Sequence, residues 1–400
     1  MKRARLPWGR LAWAALLAGL LAVSPALADP TPDDAAAAER AELERRIEEL
    51  EARDQLRDEE TIASESSLSW PRFSLGGFAN VDYLYRDVHQ KDGRSADSNH
   101  FALGELDFFV ASELSDHFSF FSELVFEFDS DGETRIDVER LLIKYEHRDW
   151  LSVSVGRGHS PIGYWNRAYH HGTFLWTTIS RPVLFEFEDE GGLLPMHFVG
   201  VETSGNFASK SGLLGYSLVV SNGRGRTPDA IQLTDDLNGS KLALLQLAWK
   251  PYAIPDITFG ANFVYDDIPG DPATPGRERN LHEYIAGGHV VFTGHHLEAF
   301  FEGQYIRHEG RSSHDNYGGY AQLAYDFGGG WKPYYRFDWL GIDEDDPFFA
   351  LAGGAVDTLR HTAGIRYEWT SFLAVKLEYQ HEDATGRDTN VGAAQVAVRF

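Results

Sequence analysis

The chain has 400 residues, no cysteine and a formal net charge of −25. The lack of cysteine excludes disulfides and thiolate metal sites, and the acidic charge argues against a nucleic-acid partner or a basic lipid-binding surface. Phe, Trp and Tyr make up 13% of the residues and Gly is frequent, a composition typical of membrane barrels, which are polar on average and aromatic at their rims.

The amino terminus has the pattern of a secretory signal peptide. Four basic residues precede an apolar run from Leu11 to Val23, and Ala26-Leu27-Ala28 supplies the small residues of a cleavage site. A membrane anchor is the competing interpretation, but the run is shorter than the ~18 to 20 apolar residues of a spanning helix. We expect residues 1–28 to be removed, which places the mature chain outside the cytoplasm. Loss of the four basic residues makes the net charge of the mature chain −29.

Residues 29–70 predict a short periplasmic helix followed by a linker. The stretch from Asp33 to Glu60 is rich in Ala, Glu and Arg, and Leu43, Ile47 and Leu50 have the a/d spacing of a helix. Three apolar positions fit a solvated single helix as well as an oligomerising one, so a coiled coil stays open. The Ser- and Glu-rich stretch 62–70 is typical of a linker.

After Pro71 the sequence changes to an alternation of apolar and polar residues. Phe73, Leu75 and Val81 share one face of the first such segment, and the pattern recurs along the chain, as at 214–220, 257–265 and 363–369. A period of two residues indicates strands. We predict about 16 of them over residues 71–400.

The lengths of the connections between these strands alternate as well. Short turns follow the even strands, as at 147–149 and 370–371, and longer polar loops follow the odd ones, as at 87–99, 221–239, 267–280 and 341–356. A soluble sandwich or propeller has no reason to sort its loops, whereas bacterial outer-membrane barrels have short periplasmic turns and long outer loops. Because every backbone polar group must be paired in lipid, such a sheet has to close. We therefore predict an all-β fold, a transmembrane antiparallel β-barrel with room for an aqueous lumen.

The closing strand is Asn390–Phe400. By itself this amphipathic segment fits a soluble sheet equally well, but the signal peptide and the sorted loops favour a membrane barrel. We expect its apolar face to contact lipid beside the first strand, and Arg399 to face the lumen. The apolar face consists of Gly392, Ala394, Val396, Val398 and Phe400.

The polar faces of the strands give the expected lining of the pore. Acidic residues occur in the early strands and basic residues in the late ones, and these strands become neighbours when the barrel closes. Separated charges create a transverse field that orients dipolar solutes, and the acidic excess favours cations slightly; mutual pairing of the charges is the alternative. The predicted lining residues are Asp82, Glu105, Asp107, Glu123, Glu127, Arg140, Lys144, Arg336, Arg360, Arg366 and Arg399.

The longest connection, from Gly158 to Pro195, is aromatic, contains several prolines and carries charges of both signs. An exposed loop needs no such apolar content, so we predict that it folds into the lumen and narrows the pore. Packing over the barrel mouth or on an adjacent subunit is the alternative. The predicted constriction residues are Trp165, Arg167, His170, His171, Arg181, Glu186, Glu188 and Asp189.

Two histidine pairs and the dipeptide His159-Ser160 are candidates for metal binding or catalysis. His170-His171 lies among acidic residues, but neighbours on an extended backbone point in opposite directions and no i, i+4 spacing is present, so we predict no metal site. His295-His296, in a short turn, is a weaker candidate. His159-Ser160 comes with no identifiable base and orienting group for hydrolysis, so neither a catalytic residue nor a cofactor is predicted.

The signal peptide, the short helix, the barrel and the terminal Phe together resemble the outer-membrane porins. The helix-plus-barrel layout is most similar to the phosphate-selective porin O/P family. The segment Val155–Gly163, with Gly-Arg followed by Pro161-Ile162-Gly163, is similar to that family's passage from strand to loop. The resemblance implies a homotrimeric passive channel, inserted into outer-membrane lipid by the barrel-assembly machinery, whose third outer loop narrows the pore.

The predicted lining departs from that family. Phosphate-selective members have ladders of Arg and Lys, whereas the early wall here is acidic. We therefore expect a non-enzymatic porin for passive diffusion of small hydrophilic solutes or ions, without phosphate selectivity. The alternatives are a surface binding or adhesion protein on a plugged barrel and, less favoured by the sequence, a barrel hydrolase.

Overall fold

The computed structural model describes residues 72–128, 133–186, 192–230, 234–351 and 356–400. The predicted signal peptide (1–28) and the helical segment with its linker (29–70) lie outside these ranges and stay predictions. Pro71–Phe400 forms one compact unit.

Sixteen strands form a closed antiparallel barrel in which each strand pairs with its sequence neighbours and β1 pairs with β16. This confirms the predicted fold class and strand number. Closure pairs the backbone donors and acceptors of all strands and leaves no sheet edge. The strands are β1 Arg72–Gln90, β2 Ser95–Glu113, β3 Phe118–Phe128, β4 Thr134–Arg148, β5 Leu151–His159, β6 His197–Ala208, β7 Gly212–Asn222, β8 Lys241–Pro251, β9 Ile257–Ile268, β10 Leu281–Gly294, β11 Leu297–Glu309, β12 Ser313–Tyr325, β13 Trp331–Gly341, β14 Thr358–Thr370, β15 Leu373–Ala384 and β16 Arg387–Arg399.

The outer surface of the barrel is apolar. Large apolar side chains stay exposed along the strands, Leu75 at 71% and Trp369 at 68% among them. No helix in the described part of the chain is long and apolar enough to cross a bilayer. A belt of this extent around a closed sheet is stable only when lipid covers it, because exposing it to water is unfavourable. The chain is therefore a bacterial outer-membrane barrel.

The connections agree in part with the predicted sorting by strand parity. Every turn after an even strand is short, the longest being 252–256 and 326–330, and the long connections follow the odd strands β5, β7, β9 and β13. The other odd strands, β1, β3, β11 and β15, are followed by short connections. One predicted loop is wrong: residues 87–99 are mostly paired, with Asp87 opposite Asp97, and only 91–94 form the turn. The hydrophobic alternation ends near Tyr85, but backbone pairing continues because water can solvate both faces of a ribbon beyond the bilayer.

The seam between β16 and β1 places the two faces of the closing strand on opposite sides of the wall. Val396 and Phe400 are exposed on the outside, and Phe400 exchanges two backbone hydrogen bonds with Gly77 (2.9 and 3.1 Å). The guanidinium carbon of Arg399 lies 5.3 Å from the ring centroid of Phe174, which belongs to the long connection between β5 and β6.

A buried polar chain joins the outer connections around β7 to β14. Arg224 donates to Glu283 (3.0 Å), whose carboxylate also contacts His308 Nε2 (3.0 Å), and His308 Nδ1 lies 2.7 Å from Asp346. Burial alone would raise the pKa of Asp346, but its hydrogen bond with His308 and the charge of that ring lower the pKa to about 2. This side of the outer end is therefore held together by paired, ionised groups.

Candidate functional site

The connection between β5 and β6, residues 160–196, crosses the interior of the barrel and is called the crossing loop below. Its residues hydrogen-bond to strands on opposite sides: Gly172 to Asp107 of β2 (3.1 Å), and Gly163 to Asn262 of β9 (3.1 Å). It contains one short helix, α1 (Trp165–Tyr169), and a 3-10 turn at Val183–Phe185. Residues 187–191 of this loop lie outside the described residues.

Gly163 and Glu302 fix the entry of the crossing loop. The Glu302 carboxylate of β11 accepts backbone hydrogen bonds from Tyr164 (2.8 Å) and Trp165 (3.2 Å) at the start of α1. Gly163 has a φ of +69°, and a Cβ there would lie 1.5 Å from Glu302 Oε1. Only glycine fits this backbone conformation and this approach, which gives a physical reason for the Gly of the Pro161-Ile162-Gly163 segment.

The apolar side chains of the crossing loop form the core of the barrel interior. Trp165, Trp176 and Phe185 are buried and pack together, with ring centroids 5.3 Å (Trp165 to Trp176) and 5.6 Å (Trp165 to Phe185) apart. Arg181 lies over both tryptophan rings, at 5.5 and 5.1 Å. Burial of these rings supplies the hydrophobic stabilisation that keeps the loop inside.

The side of the crossing loop that contacts β13 to β15 is called the anchored face. Arg336 donates to the carbonyl oxygens of Ser180 (2.8 Å) and Arg181 (2.7 Å). Arg366 donates to the carbonyls of Phe174 (2.6 Å) and Trp176 (2.7 Å).

Two further wall residues complete the anchored face. Lys376 donates to the carbonyls of Thr173 (2.6 Å) and Thr178 (2.9 Å). Glu378 accepts from the backbone nitrogens of Ile179 (2.8 Å) and Ser180 (3.1 Å).

These contacts solve a problem that a buried loop creates. A segment without regular secondary structure cannot pair its own backbone donors and acceptors, and each one left unsatisfied in the interior is costly. Charged side chains of the wall take the place of those backbone partners, so Arg336 and Lys376 are fully buried although both carry long polar side chains.

The part of the crossing loop next to β1, β2 and β16, which follow β15 in the wall, is called the open face. A cavity of about 270 Å³ lies between it and these strands. Three carboxylates and one guanidinium are among its charged groups, so the lining is polar and acidic on balance. The lining residues are Asn80, Asp82, Gly104, Glu105, Thr173, Trp176, Ile179, Arg181, Glu186 and Gln395.

Ion pairs cross the cavity region. Glu105 of β2 pairs with Arg181 (3.0 Å) and with His171 (3.1 Å) of the crossing loop. Glu186 pairs with Arg360 of β14 (2.8 Å). Charges of opposite sign are therefore in direct contact beside the cavity.

A histidine cluster, consisting of Glu139, His159, His170 and His197, joins the crossing loop to β4, β5 and β6. One donor atom from each of the four lies within 4.8 Å of the other three. His197 Nε2 lies 2.5 Å and His170 Nε2 3.5 Å from Glu139 Oε2. A second group, Glu105, Asp107 and His171, lies beside it.

Two β-bulges place acidic residues at the crossing loop. In β4, Glu123 of β3 lies opposite Arg140 and Leu124 opposite Val138, which makes Glu139 an extra residue. In β2, Gly104 and Glu105 together lie opposite the single residue Asn80 of β1, because Leu103 pairs with Val81 and Leu106 with Ala79. Bulges re-aim side chains and are frequent near functional sites.

The two neighbouring histidines of the crossing loop differ in charge. Burial and the adjacent His197 lower the pKa of His170 well below its usual value. Burial also opposes charge on His171, but the carboxylates of Glu105 and Glu139 raise the pKa of His171 well above its usual value. His170 is therefore the neutral ring and His171 the charged one at neutral pH.

The described constriction candidates are distributed over three environments. Arg181 and Glu186 line the cavity, Arg167 pairs with Glu202 (2.5 Å), and Trp165, His170 and His171 are buried in the packing of the loop. Trp165 packs on Trp176 and Phe185 of the loop, whereas His170 and His171 follow α1 and contact Glu139 and Glu105 of the wall. Glu188 and Asp189 lie outside the described residues.

The predicted lining residues also separate into groups. Asp82 and Glu105 line the cavity, and Asp107 is buried where it accepts from Gly172 N (3.1 Å). Arg336 and Arg366 lie beneath the loop as its backbone partners and not on an open lumen, since the loop covers that wall.

The remaining lining candidates pair with nearby groups. Glu123 binds Arg140 (2.6 Å), Lys144 binds Glu146 (3.0 Å), Arg360 binds Glu382 (2.6 Å), and Glu127 is partly exposed. Arg399 contacts the ring of Phe174. Mutual pairing, which the sequence left as an alternative, thus accounts for much of this set.

Sequence reasoning missed the histidine cluster. The expectation that His170-His171 is extended is wrong, because His170 has helical dihedrals at the end of α1 (φ −48°, ψ −51°). His159 and His197 are distant in sequence from Glu139 and meet it only through the pairing of β4, β5 and β6. The one local signal is Glu139-Arg140, two charged residues in succession that interrupt the alternation of β4.

Known structures share the fold at low sequence identity. An anion-selective porin from Comamonas acidovorans matches with a TM-score of 0.59 and 10% identity, over 83% of this chain and 100% of that one. The outer membrane channel DcaP of Acinetobacter baumannii matches with a TM-score of 0.53 and 13% identity, over 84% and 99%. The trimer form of OmpT, an outer membrane protein of Vibrio cholerae, matches with a TM-score of 0.51 and 9% identity, over 82% and 99%. These likenesses show the porin fold.

No protein-family model and no curated protein matches the chain.

Proposed function

We propose that this protein is a porin, which lets small hydrophilic solutes or ions diffuse passively across the outer membrane, with the crossing loop as its constriction. The observation that carries the proposal is the cavity of about 270 Å³ between the open face and the wall of β1, β2 and β16. Its lining is charged and its walls are rigidly held, as a selective aqueous passage requires.

The charges of the cavity favour cations slightly. Asp82, Glu105 and Glu186 supply three carboxylates against the single guanidinium of Arg181 in the lining, although Glu186 is also paired with Arg360. A focused negative potential in a narrow passage raises the local concentration of cations. The lining has no ladder of cationic residues, so phosphate selectivity is not proposed.

A second candidate is a surface binding or adhesion protein on a plugged barrel. The extensive packing of the crossing loop favours it, since one whole side of the lumen is filled by buried aromatic rings and backbone hydrogen bonds. In that case the outer connections would be the binding surface, and no current would pass through the barrel.

Planar-bilayer recordings on the purified barrel separate the two candidates. Because the chain has no cysteine, a single introduced thiol reports on the passage. We expect a positively charged methanethiosulfonate reagent to reduce the current through Asp82→Cys, whose side chain lines the cavity. The matched control is Val81→Cys, its neighbour on the outer surface, where the reagent should leave the current unchanged.

The absence of any conductance would contradict the channel and favour the plugged barrel. Equal block of both thiol variants would also contradict the passage at the open face, because Val81 does not line the cavity.

The finer resemblance to the phosphate-selective porin O/P family stays a prediction, as do a homotrimer and recognition of the terminal Phe400 by the barrel-assembly machinery. The trimer form of one matching structure supports the homotrimer at the level of the fold.

Deletion of Phe400 should reduce assembly more than conductance per assembled pore, because this residue closes the seam through Gly77 and lines no part of the cavity. Heat-modifiable mobility on gels measures the assembled fraction.

A further inference from the structure

We propose that the histidine cluster is a binding site for one divalent transition-metal ion of the Zn²⁺ class, ligated by Glu139, His159, His170 and His197. The ion would fasten the crossing loop to the wall. The inference is independent of conduction, because the cluster is buried and none of its members lines the cavity of the open face.

The composition of the cluster matches what such an ion prefers. Three imidazoles and one carboxylate are a borderline-soft, four-donor set, which suits Zn²⁺ better than the hard ions Ca²⁺ or Mg²⁺. Four donors supplied by the protein describe a closed structural site, as distinct from an open catalytic one. The site draws its donors from β4, β5, the end of α1 and β6.

The distances are near those of a tetrahedral site. Glu139 Oε2 lies 3.5 Å from His170 Nε2 and 3.9 Å from His159 Nε2. Two ligands bound tetrahedrally at 2.0–2.1 Å from Zn²⁺ are roughly 3.3 Å apart, so these two need to move only a few tenths of an ångström. His197 Nε2, at 2.5 Å from the same oxygen, would move away as it ligates.

Asn166 fixes the tautomer of His170. Its Nδ2 donates to two backbone carbonyls, those of Ser160 (2.8 Å) and Met196 (2.9 Å), which establishes that the other amide atom is the oxygen. That oxygen lies 2.6 Å from His170 Nδ1, so Nδ1 must carry the proton and donate it. In the neutral ring Nε2 therefore presents a lone pair towards the cluster.

Two acceptors consequently face each other inside the protein. The lone pair of His170 Nε2 is directed at the carboxylate oxygen of Glu139, with 3.5 Å between them. A cation between these atoms would be bound by both, and a hydrogen-bonded second residue that orients a metal-binding histidine is the usual support for such a ligand.

His159 gives an independent indication. Its side chain is 7% exposed, and its Nε2 has no hydrogen-bond partner. The ring lies against His170, with centroids 4.0 Å apart. A buried ring nitrogen in that condition is costly unless an ion or water satisfies it.

The fastening role follows from the positions of the ligands. His170 belongs to the crossing loop, whereas the other three ligands belong to strands of the wall. The ion would therefore hold the β4–β6 side of the loop in the way that buried cations hold the anchored face on the other side.

Zn²⁺ binding to the refolded, chelator-treated barrel in detergent tests the proposal. We expect one Zn²⁺ per chain by calorimetry, and Co²⁺ should give the intense visible absorption of a tetrahedral site. His170→Ala should abolish both signals, and Glu139→Gln should weaken binding more than tenfold. Asn166→Ala, which removes only the orienting residue, should weaken binding about tenfold to a hundredfold.

A double variant, His295→Ala with His296→Ala, is the matched control, because this pair lies in an exposed turn away from the cluster. Its site binding should equal that of the wild type. Should His170→Ala fail to assemble, Glu139→Gln and Asn166→Ala still decide the question in assembled protein.

Protease protection provides a second readout. Zn²⁺ should slow tryptic cleavage after the exposed Arg167, which lies on α1 three residues before His170. A wild-type barrel that binds no Zn²⁺ would overturn the proposal, and so would an unchanged affinity in Glu139→Gln or loss of binding in the double control variant.

Discussion

The two sides of the crossing loop meet their walls in different ways. On the anchored face, Arg336, Arg366 and Lys376 are buried and donate to loop carbonyls. On the open face, Glu105 and Asp82 border a cavity of about 270 Å³. The same kind of residue, a charge on an inward strand position, thus binds the loop backbone at one place and lines a cavity at the other.

The role of a charged wall residue therefore depends on how closely the crossing loop packs against it. Where the loop is close, its unpaired backbone groups recruit the charge and water is excluded. Where a cavity borders the loop, the charge faces space that solutes can enter, as at Asp82 and Glu105. Four predictions test this contrast, two for the loop's attachment and two for the passage.

The largest effect is expected from Arg336→Met. The substitution removes donors to Ser180 and Arg181 and leaves Asp338, which Arg336 contacts at 2.9 Å, as an uncompensated buried charge. Breaking a buried pair in this way costs about 3–5 kcal/mol. We expect the loop to detach, with noisier, larger single-channel currents and faster tryptic cleavage within residues 160–196.

Arg336→Lys is the control for charge, since it keeps the positive charge but loses the planar fork of donors. Its single-channel current and its rate of tryptic cleavage should lie between those of the wild type and of Arg336→Met. Full protection from trypsin in Arg336→Met would show that the anchored face is not held by these hydrogen bonds.

Gly163→Ala should have the next largest effect. Its positive φ and the clash with Glu302 strain both the loop entry and the carboxylate that accepts from α1, at a cost of about 1–3 kcal/mol. The thermal unfolding temperature of the assembled barrel measures it. Gly239→Ala is the matched control, because Gly239 has a similar φ of +74° but no atom within 4 Å of an added Cβ.

Gly239→Ala should lower the unfolding temperature less than Gly163→Ala does. The difference between the two variants measures the cost of the steric clash, because both carry the cost of a positive φ. Equal losses in the two variants would mean that the approach to Glu302 does not matter.

Glu105→Gln should change selectivity and also weaken the attachment of the loop, because Glu105 is the carboxylate partner of both Arg181 and His171. It removes the carboxylate that balances Arg181 at the cavity, so the potential there becomes more positive. At hydrated contact distances such a charge is worth about 1 kcal/mol, or roughly fivefold in the permeability ratio. Reversal potentials in a salt gradient should move towards anions.

Arg181→Gln should move the reversal potential in the opposite direction, and both shifts should shrink in concentrated salt, which screens the charges. Shifts of the same sign in Glu105→Gln and Arg181→Gln would contradict an electrostatic passage at the open face.

The smallest effect is expected from Asp82→Asn. Asp82 lines the cavity and accepts a hydrogen bond from Asn80 (2.9 Å), but no basic residue of the described ranges forms an ion pair with it. Its loss leaves the ion pair of Glu105 and Arg181 intact, so the shift towards anions should be well below that of Glu105→Gln. A larger shift than in Glu105→Gln would indicate that the passage runs closer to β1 than the cavity suggests.

The amino-acid sequence by itself determined the barrel. Three features depend only on residues that are close in sequence: the period of two residues, the short turns and the apolar face of 390–400. Each follows from local strand geometry and from the solvent at each face of the strand. The inward direction of Asp82 and Glu105 follows from the same alternation.

Only the tertiary structure decided which inward residues meet the crossing loop. In the sequence, Arg336 and Lys376 look like any charged residue on a strand face that contacts water. They are buried by a segment that is distant in sequence, since Ser180, to which Arg336 donates, is more than 150 residues away. Glu139 reaches His159, His170 and His197 through a bulge and the pairing of three strands. Long-range pairing of this kind leaves almost no trace in local sequence, because each residue would satisfy its own strand equally well without the others.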